Sequence, residues 1–399
     1  MLVGENASFS YRPMPDPRVI GVVTGSRADY GLLHGVLGEI RKSSKLSLRL
    51  LVTGMHLAPE FGETWRLIEV DGFTIHQKID MLLVGDSPAD ITKSTGRGVI
   101  GFADAFEQVR PDLVLVLGDR FEILAAVQAC LLARIPVAHI AGGDTTEGAI
   151  DESIRHAITK MAHLHFVTNE QAASRVRQMG ENPAHIFHVG SPGIDFIKNH
   201  PLLTRNELAT LVGLPLTGRL LAVTFHPATL DPLPQDAQMR QLLDALDTLD
   251  PADTSIVFTM SNADAEGRAL MALVTTYTRT RPHTRAFTSL GQTNYLSLMA
   301  QADAVVGNSS SGLYEAPTLK TPTVNIGDRQ KGRLQADSII NCPSDTAAIA
   351  AAIQKAYQLD TRETVNPYGD GDAASKIVAI LESIEEPSTL LQKHFHTFP

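Results

Sequence analysis

The chain has 399 residues, of which 43% are apolar and 20% are charged. Its net charge of −10 argues against a general surface for nucleic acid or for an anionic membrane, since both partners require an excess of Lys and Arg. The chain has no run of about 18 apolar residues, so no membrane span is expected. It has only two cysteines, which is typical of proteins in a reducing, cytoplasmic compartment.

The first half of the chain alternates short apolar runs with helical stretches. Residues 1–17 contain three prolines and predict a loose leader. The runs are rich in β-branched residues and leucine, which is typical of strands buried on both faces of a parallel sheet. They lie at 18–24, 46–54, 111–119, 135–143, 163–169 and 185–190. This order predicts a first doubly wound domain over residues 18–192.

A break follows at residues 193–219, which carry prolines and glycines without a strand pattern and predict a hinge. The alternation then resumes and predicts a second, nucleotide-binding domain over residues 220–370. Its strands are expected at 220–227, 255–262, 284–289, 302–308, 321–327 and 337–342. Residues 371–399 predict a helix and a tail that crosses back to the first domain.

The predicted fold class is therefore α/β, with two Rossmann-like doubly wound domains facing a cleft. Ligands of such sheets bind at the carboxyl ends of the strands, so functional residues should follow strands.

Charged residues follow two of the predicted strands in the first domain. The motif "TGSRADYG" places Arg27 at the start of a helix, where an anion is favoured. The motif "GDRFE" places Asp119 and Arg120 after the most apolar strand. A capped helix with a surface arginine explains either motif equally well when it is taken alone.

An acid-rich stretch, "GGDTTEGAIDESIRHAI", follows the next strand with Asp144, Glu147 and Asp151. These carboxylates either charge a helix N-terminus or act as a general base with a raised pKa, and the residues alone leave both readings open. Helical spacing predicts that Arg155 pairs with Asp151 or Glu152.

The second half presents its polar residues in the same places. His226 precedes a proline, which disfavours helix at that position. The stretch "GNSSSGLYEAP" follows a strand and opens a short helix predicted over 313–321, so Ser309 and Ser310 suit a phosphate. Glu315 is an acceptor for ribose hydroxyls, and Arg329 adds positive charge after the next strand. No metal-binding spacing and no Walker loop occur.

Taken together, these motifs resemble those of the hydrolysing nucleotide-sugar 2-epimerases of sialic-acid-type pathways. The resemblance runs from about residue 18 to the C-terminus and also includes "FHP", "NIGDRQKGR" and "NPYGDGDAASKI". It implies a glycosyltransferase-B-like fold, a homodimer or homotetramer, and no redox cofactor or metal. It further implies that a UDP-sugar loses its C2 proton and its nucleotide, forms a glycal, and takes up water to give a free manno-configured sugar.

Carried over by motif, the resemblance implies contacts to the nucleotide and carboxylates for proton transfer. The expected nucleotide contacts are Arg27, Arg120, His226, Asn262, Ser309, Ser310, Glu315 and Arg329. The expected catalytic residues are Asp119 and Asp151, together with His226.

One position departs from the family pattern. Many members have His-Ile-Glu-Gly-Gly where this chain has "HIAGG", so their catalytic glutamate falls on Ala141. Asp144 or Glu147 is the candidate for the missing role. Sequences of this type resemble the legionaminic-acid branch, whose substrate is a 2,4-diacetamido-2,4,6-trideoxy sugar on UDP or GDP.

Two other functions stay open at this point. A glycosyltransferase of the same architecture would transfer the sugar to an acceptor, and an inactive relative would bind a nucleotide sugar without turnover. The expected partner in every case is a small nucleotide sugar, with no nucleic acid and no membrane.

Overall fold

The computed structural model describes residues 16–85, 87–145, 150–226, 233–259, 265–288 and 290–397. The chain divides into two compact units. The first unit comprises Met1–Phe166, Ser174–Phe187 and Ser375–Pro399, and the second comprises Val167–Ala173 and His188–Ala374.

The first unit is built on a seven-stranded sheet in the order β3-β2-β1-β4-β5-β6-β7. Its strands are β1 (Arg18–Thr24), β2 (Leu46–Thr53), β3 (Ile75–Ile79), β4 (Leu113–Leu117), β5 (Val137–Ile140), β6 (Leu164–Val167) and β7 (Ile186–His188). The helices along this part of the chain are α1 (Arg27–Lys42), α2 (Trp65–Val70), α3 (Pro88–Val109), α4 (Phe121–Ala133), α5 (Ile150–Met161) and α6 (Glu170–Gln178). All five residues of β4 are buried, as expected for a central strand covered on both faces.

Three elements of this unit, α2, β3 and α3, escaped the sequence prediction. β3 has the sequence Ile-His-Gln-Lys-Ile, and it lacks the apolar run by which the other strands were recognised. It can be polar because it is an edge strand with only one fully buried residue. α3 contains three glycines, which lower its helix propensity. Two of them are packing positions, since a methyl group at Gly98 would lie 2.8 Å from Met81 and one at Gly101 would lie 2.7 Å from Ile79, whereas one at Gly96 would meet nothing within 4 Å.

The second unit has a six-stranded sheet in the order β10-β9-β8-β11-β12-β13. Its strands are β8 (Arg219–Thr224), β9 (Thr254–Thr259), β10 (Thr284–Phe287), β11 (Ala304–Gly307), β12 (Thr323–Ile326) and β13 (Ile339–Cys342). The helices that follow α6 are α7 (Pro192–Asn199), α8 (Arg205–Val212), α9 (Gln235–Leu246), α10 (Ala265–Arg279), α11 (Gln292–Gln301), α12 (Ser311–Tyr314), α13 (Thr346–Ala356) and α14 (Ala373–Ser383). Apolar cores cover both faces of this sheet.

Strand order reverses at one point in each sheet, between β1 and β4 in the first and between β8 and β11 in the second. All strand pairs with a described register are parallel. Loops diverge at such a reversal and leave a crevice at the carboxyl ends of the strands, which is where ligands of this fold bind. The predicted site residues follow these strands and their neighbours.

The prediction of two Rossmann-like α/β domains is confirmed. The segment predicted as a hinge, 193–219, contains most of α7 and all of α8 and is counted with the second unit, while residues from Ser375 onward are counted with the first. The predicted domain bounds and the predicted cleft stay predictions. None of the described helices is both long and apolar enough to span a bilayer.

Candidate active site

The end of β4 and the start of α5 bring together three acidic side chains and two arginines of the first unit. Arg155 is buried and forms an ion pair with Asp119 and a second one, at 3.0 Å, with Glu152. Arg155 Nη1 also donates to the carbonyl oxygen of Asp144 at 2.7 Å. The predicted pairing of Arg155 with Glu152 is present, and its link to Asp119 was not foreseen because 36 residues separate the two.

Asp151 lies in the first turn of α5, near the same charges. Burial raises the pKa of the Asp151 carboxyl, and the negative charge of Asp119 raises it further, while Arg120 and Arg155 oppose both effects. A carboxyl group with a raised pKa accepts a proton more readily at neutral pH than an ordinary one. Asp151 therefore has the surroundings expected of a general base.

The loop after β1 contributes the start of α1. Ser26 caps this helix by accepting from the backbone N–H of Asp29, and Arg27 is exposed in its first turn. Asp29 is only 8% exposed, and its Oδ2 has no hydrogen-bond partner among the described residues. Burial raises the pKa of Asp29 to about 6, although Ser26 and Arg120 lower it. Sequence reasoning missed Asp29 because its position suits an ordinary helix start.

Position 141 supplies no acid or base. Ala141 directly follows β5 with a left-handed φ of 63°, and its backbone N–H donates to the carbonyl oxygen of Phe166 at 3.0 Å. Its side chain is a methyl group, as the sequence requires. Two residues were predicted to take over the role of the missing glutamate. The backbone carbonyl oxygen of Asp144 accepts a hydrogen bond from Arg155, and Glu147 lies outside the described residues.

In the second unit, Asn308 joins the ends of β8 and β11. Its Oδ1 accepts from the backbone N–H of His226 at 2.7 Å, and its Nδ2 donates to the carbonyl oxygen of His226 at 2.9 Å. The carbonyl oxygen of Asn308 accepts from Arg329 at 3.1 Å and from Gln330 at 2.8 Å. Asn308, which was read only as part of a turn, thus fixes His226 and Arg329 at the same edge of the sheet.

The serine-rich turn follows Asn308 directly. Ser309 and Ser310 are partly exposed, and Ser311 is buried with its hydroxyl 2.6 Å from that of Tyr295 and 3.0 Å from that of Ser309. The helix predicted over 313–321 is wrong in its bounds, since α12 covers only Ser311–Tyr314. Pro317 limits it, because its ring would clash with the carbonyl group four residues earlier.

Glu315 lies just beyond α12, and its backbone N–H donates to the carbonyl oxygen of Ser311 at 3.0 Å. Its Oε2 is buried and has no partner among the described residues. Burial raises the pKa of Glu315 to about 7. A buried acceptor of this kind is costly unless a ligand donates to it, which agrees with the prediction that it accepts from ribose hydroxyls.

The structure thus gathers the predicted residues in two groups. Asp119, Arg120 and Asp151 lie together in the first unit, and His226, Ser309, Ser310, Glu315 and Arg329 follow β8, β11 and β12 in the second. Asn262 lies outside the described residues. Within the described ranges, no group of three or more His, Cys, Asp or Glu side chains could hold a metal ion.

Comparison with known proteins shows which proteins this chain resembles. The family model described as UDP-N-acetylglucosamine 2-epimerase matches residues 38–382. A protein of Campylobacter jejuni named GDP/UDP-N,N'-diacetylbacillosamine 2-epimerase (hydrolyzing) is 43% identical over 325 residues, which cover 81% of this chain and 84% of that protein. A Legionella pneumophila protein named UDP-N,N'-diacetylbacillosamine 2-epimerase (hydrolyzing) is 33% identical over 94% of this chain and 98% of its own length.

Solved structures show the same fold at low identity. The crystal structure of UDP-GlcNAc 2-epimerase from Neisseria meningitidis bound to UDP-GlcNAc has a TM-score of 0.74 at 17% identity, and the alignment covers 91% of this chain and 99% of that one. An epimerase structure from Listeria monocytogenes has a TM-score of 0.75 at 19% identity over 93% and 98% of the two chains.

Proposed function

Because the chain belongs to the UDP-N-acetylglucosamine 2-epimerase family, we propose that it is a hydrolysing 2-epimerase whose substrate is 2,4-diacetamido-2,4,6-trideoxyglucose linked to UDP or GDP. The products are the free manno-configured sugar and the nucleoside diphosphate. The observation that carries the reaction type is the group formed by Asp119 and Asp151 beside two arginines. The two diacetylbacillosamine epimerases named above support the choice of sugar, which is the same 2,4-diacetamido compound.

The second unit supplies the groups that hold the nucleotide. Ser309 and Ser310 donate to the diphosphate, Arg329 neutralises part of its charge, and Glu315 accepts from the ribose. Stabilising the departing diphosphate lowers the barrier to its loss, because negative charge accumulates there in the transition state. His226 completes this group as a contact to the nucleotide.

The proton transfers fall to the carboxylates of the first unit. A carboxylate removes the proton from C2, the electrons of that bond form the C1–C2 double bond, and the C1–oxygen bond breaks with its electrons going to the diphosphate. Water then adds its oxygen to C1 while C2 takes a proton on the opposite face. Asp151 and Asp119 serve these two transfers. Asp144 and Glu147 remain candidates for the role that Ala141 leaves empty.

A product assay by mass spectrometry in D2O tests this proposal without any acceptor. We expect free sugar and nucleoside diphosphate from the UDP- or GDP-linked diacetamido sugar, with one non-exchangeable deuterium at C2, and slower turnover of UDP-N-acetylglucosamine. Release of sugar without deuterium would contradict the elimination. Turnover only after an acceptor is added would favour the glycosyltransferase, and nucleotide binding without turnover would favour the inactive relative. A nucleotide-sugar substrate also supports the predicted cytoplasmic location.

A further inference from the structure

Glu122 is a buried carboxylate to which neither the sequence motifs nor the proposed mechanism assigns a role. It lies in the first turn of α4 and is 0% exposed. Two glycine loops enclose it: a methyl group at Gly54 would lie 2.9 Å from the Glu122 carboxylate, and one at Gly25 would lie 3.4 Å from its Cβ. Gly54 also has a φ of 58°, which favours glycine. The loops after β1 and β2 thus leave a space that this side chain fills.

The Glu122 carboxylate forms a salt bridge with Arg120. The Nε of Arg120 lies 3.2 and 3.3 Å from the two carboxylate oxygens, and its Nη2 lies 2.8 Å from Oε1. Nη2 also approaches Met55 Sδ at 3.4 Å. The described residues provide no partner for Nη1, and the Arg120 side chain is 37% exposed. One edge of the guanidinium is therefore held by the protein, and the other remains for a ligand.

Such a pairing restricts a side chain that would otherwise sample many rotamers. Fixing a long arginine costs side-chain entropy, and a buried partner that fixes it in advance removes that cost from ligand binding. A buried carboxylate is stable only when it is paired. The bonds to Arg120 satisfy this need, so the two residues form one unit.

Resting on the proposed function, we propose that Glu122 is a positioning residue that holds Arg120 so that its remaining edge receives an anionic oxygen of the nucleotide diphosphate. Glu122 acts through Arg120 and touches no reacting atom.

Calorimetric titration with UDP tests this inference on the full chain. We expect Glu122→Gln to weaken UDP binding about tenfold, which is the effect of one lost charge-assisted contact, and Arg120→Met to weaken it at least as much. The double variant should equal Arg120→Met within about twofold, because Glu122 has nothing left to position. The KM for the nucleotide sugar should rise with the dissociation constant of UDP.

Glu181→Gln is the matched control, since Glu181 is also a buried glutamate of the first unit, 2% exposed and paired with Lys160 and Lys393. It should lower stability while UDP binds normally. If Glu122→Gln fails to fold, Glu122→Asp replaces it in the test. Glu122→Asp should weaken UDP binding at least about threefold in the wild type and should have no effect on UDP binding in the Arg120→Met background.

Two results would overturn this inference and leave the proposed function standing. One is normal UDP affinity of Glu122→Gln, and the other is that Glu122→Gln weakens UDP binding as much in the Arg120→Met background as in the wild type. Failure of the wild type to bind either UDP or GDP would overturn both this inference and the proposed function.

Discussion

At the scale of single residues, carboxyl groups that look alike in the sequence have different surroundings. Asp119 is paired with the buried Arg155, whereas Asp151 is partly buried with two arginines nearby and a raised pKa. Glu315 and Asp29 are buried acceptors with an oxygen that no described residue satisfies. The ion pair with Arg155 therefore fixes the orientation of Asp119 for its proposed proton transfer, whereas the unsatisfied oxygens of Glu315 and Asp29 remain available to a ligand or a proton.

Replacing Asp119 by Asn should abolish most turnover and keep nucleotide binding. A loss of about 10²–10⁴-fold in kcat is the usual effect of removing an acid–base group, whereas the expected nucleotide contacts of the second unit are untouched. Steady-state assays with the diacetamido substrate and calorimetry with UDP measure the two effects. Glu152→Gln is the control, because it removes the other carboxylate from Arg155; turnover of Asp119→Asn comparable to this control would show that Asp119 has no part in proton transfer.

Glu315 gives a pH dependence whose sign follows from its surroundings. Its pKa of about 7 in the folded protein exceeds the ordinary value of 4.5. The folded state therefore holds the proton more tightly, so its contribution to stability is complete below about pH 4.5 and is lost as the pH rises through 7. The melting temperature of the ligand-free wild type should thus fall relative to Glu315→Gln between pH 5 and 8. Parallel pH curves for the two proteins would refute this assignment.

At the scale of elements, the site depends on how closely the ends of two strands approach. β8 and β11 are paired up to Thr224 and Gly307, and the loops that carry His226 and the serine turn leave from this point. Gly307 has a φ of 140°, and any side chain there would overlap the carbonyl group of Thr224. Only glycine allows β11 to continue into the serine turn at this distance.

Gly307→Ala should therefore destabilise the second unit strongly, by roughly 3 kcal/mol or more, because it combines a steric clash with an unfavourable backbone conformation. Differential scanning calorimetry measures the loss. The matched control is Gly38→Ala in α1, where a methyl group meets nothing within 4 Å; it should stabilise the protein by up to about 1 kcal/mol. An unchanged transition in Gly307→Ala would mean that the strand ends are not so tightly packed.

At the scale of the whole molecule, the C-terminal end of the chain belongs to the first unit, although the second unit precedes it in the sequence. Residues from Ser375 onward are counted with the first unit, and Lys393 secures this return. Its Nζ donates at 2.7 Å to Glu181 and to the carbonyl oxygens of Lys160 and Ala162, at the end of α5. Burial by itself would raise the pKa of Glu181, but hydrogen bonds from His165, Lys160 and Lys393 lower this pKa to about 2. The tail therefore anchors the helix that carries Asp151.

Lys393→Met should lower the stability of the first unit by about 2–4 kcal/mol, since it leaves a buried carboxylate with fewer partners. Trp65, the only tryptophan of the chain, lies in this unit, so its fluorescence during urea unfolding reports the loss. Lys42→Met, at a side chain that is 73% exposed, is the control and should change stability by less than about 0.5 kcal/mol. Equal stability of the two variants would mean that the tail is dispensable.

The fold class and much of the candidate site were predictable from the sequence because both depend on local pattern. A strand buried on both faces must be a continuous apolar run, and a parallel sheet places the following polar residues at one edge. Arg120 and Asp151, or Ser309 and Arg329, could thus be grouped before any coordinates were considered. Elements that are polar or glycine-rich, such as β3 and α3, were missed because their residues do not show the apolar pattern.

Only the tertiary structure decided which side chains meet. Asp119 pairs with Arg155 across 36 positions, and Lys393 reaches Lys160 across 233. Even Glu122, two residues from Arg120, is buried because loops after β1 and β2 close over it. The sequence by itself determined the secondary structure pattern and the chemistry available at the strand ends, since these follow from neighbours along the chain. Burial, pKa and pairing depend on residues that only folding brings near, because desolvation and hydrogen bonding act over a few ångströms of space.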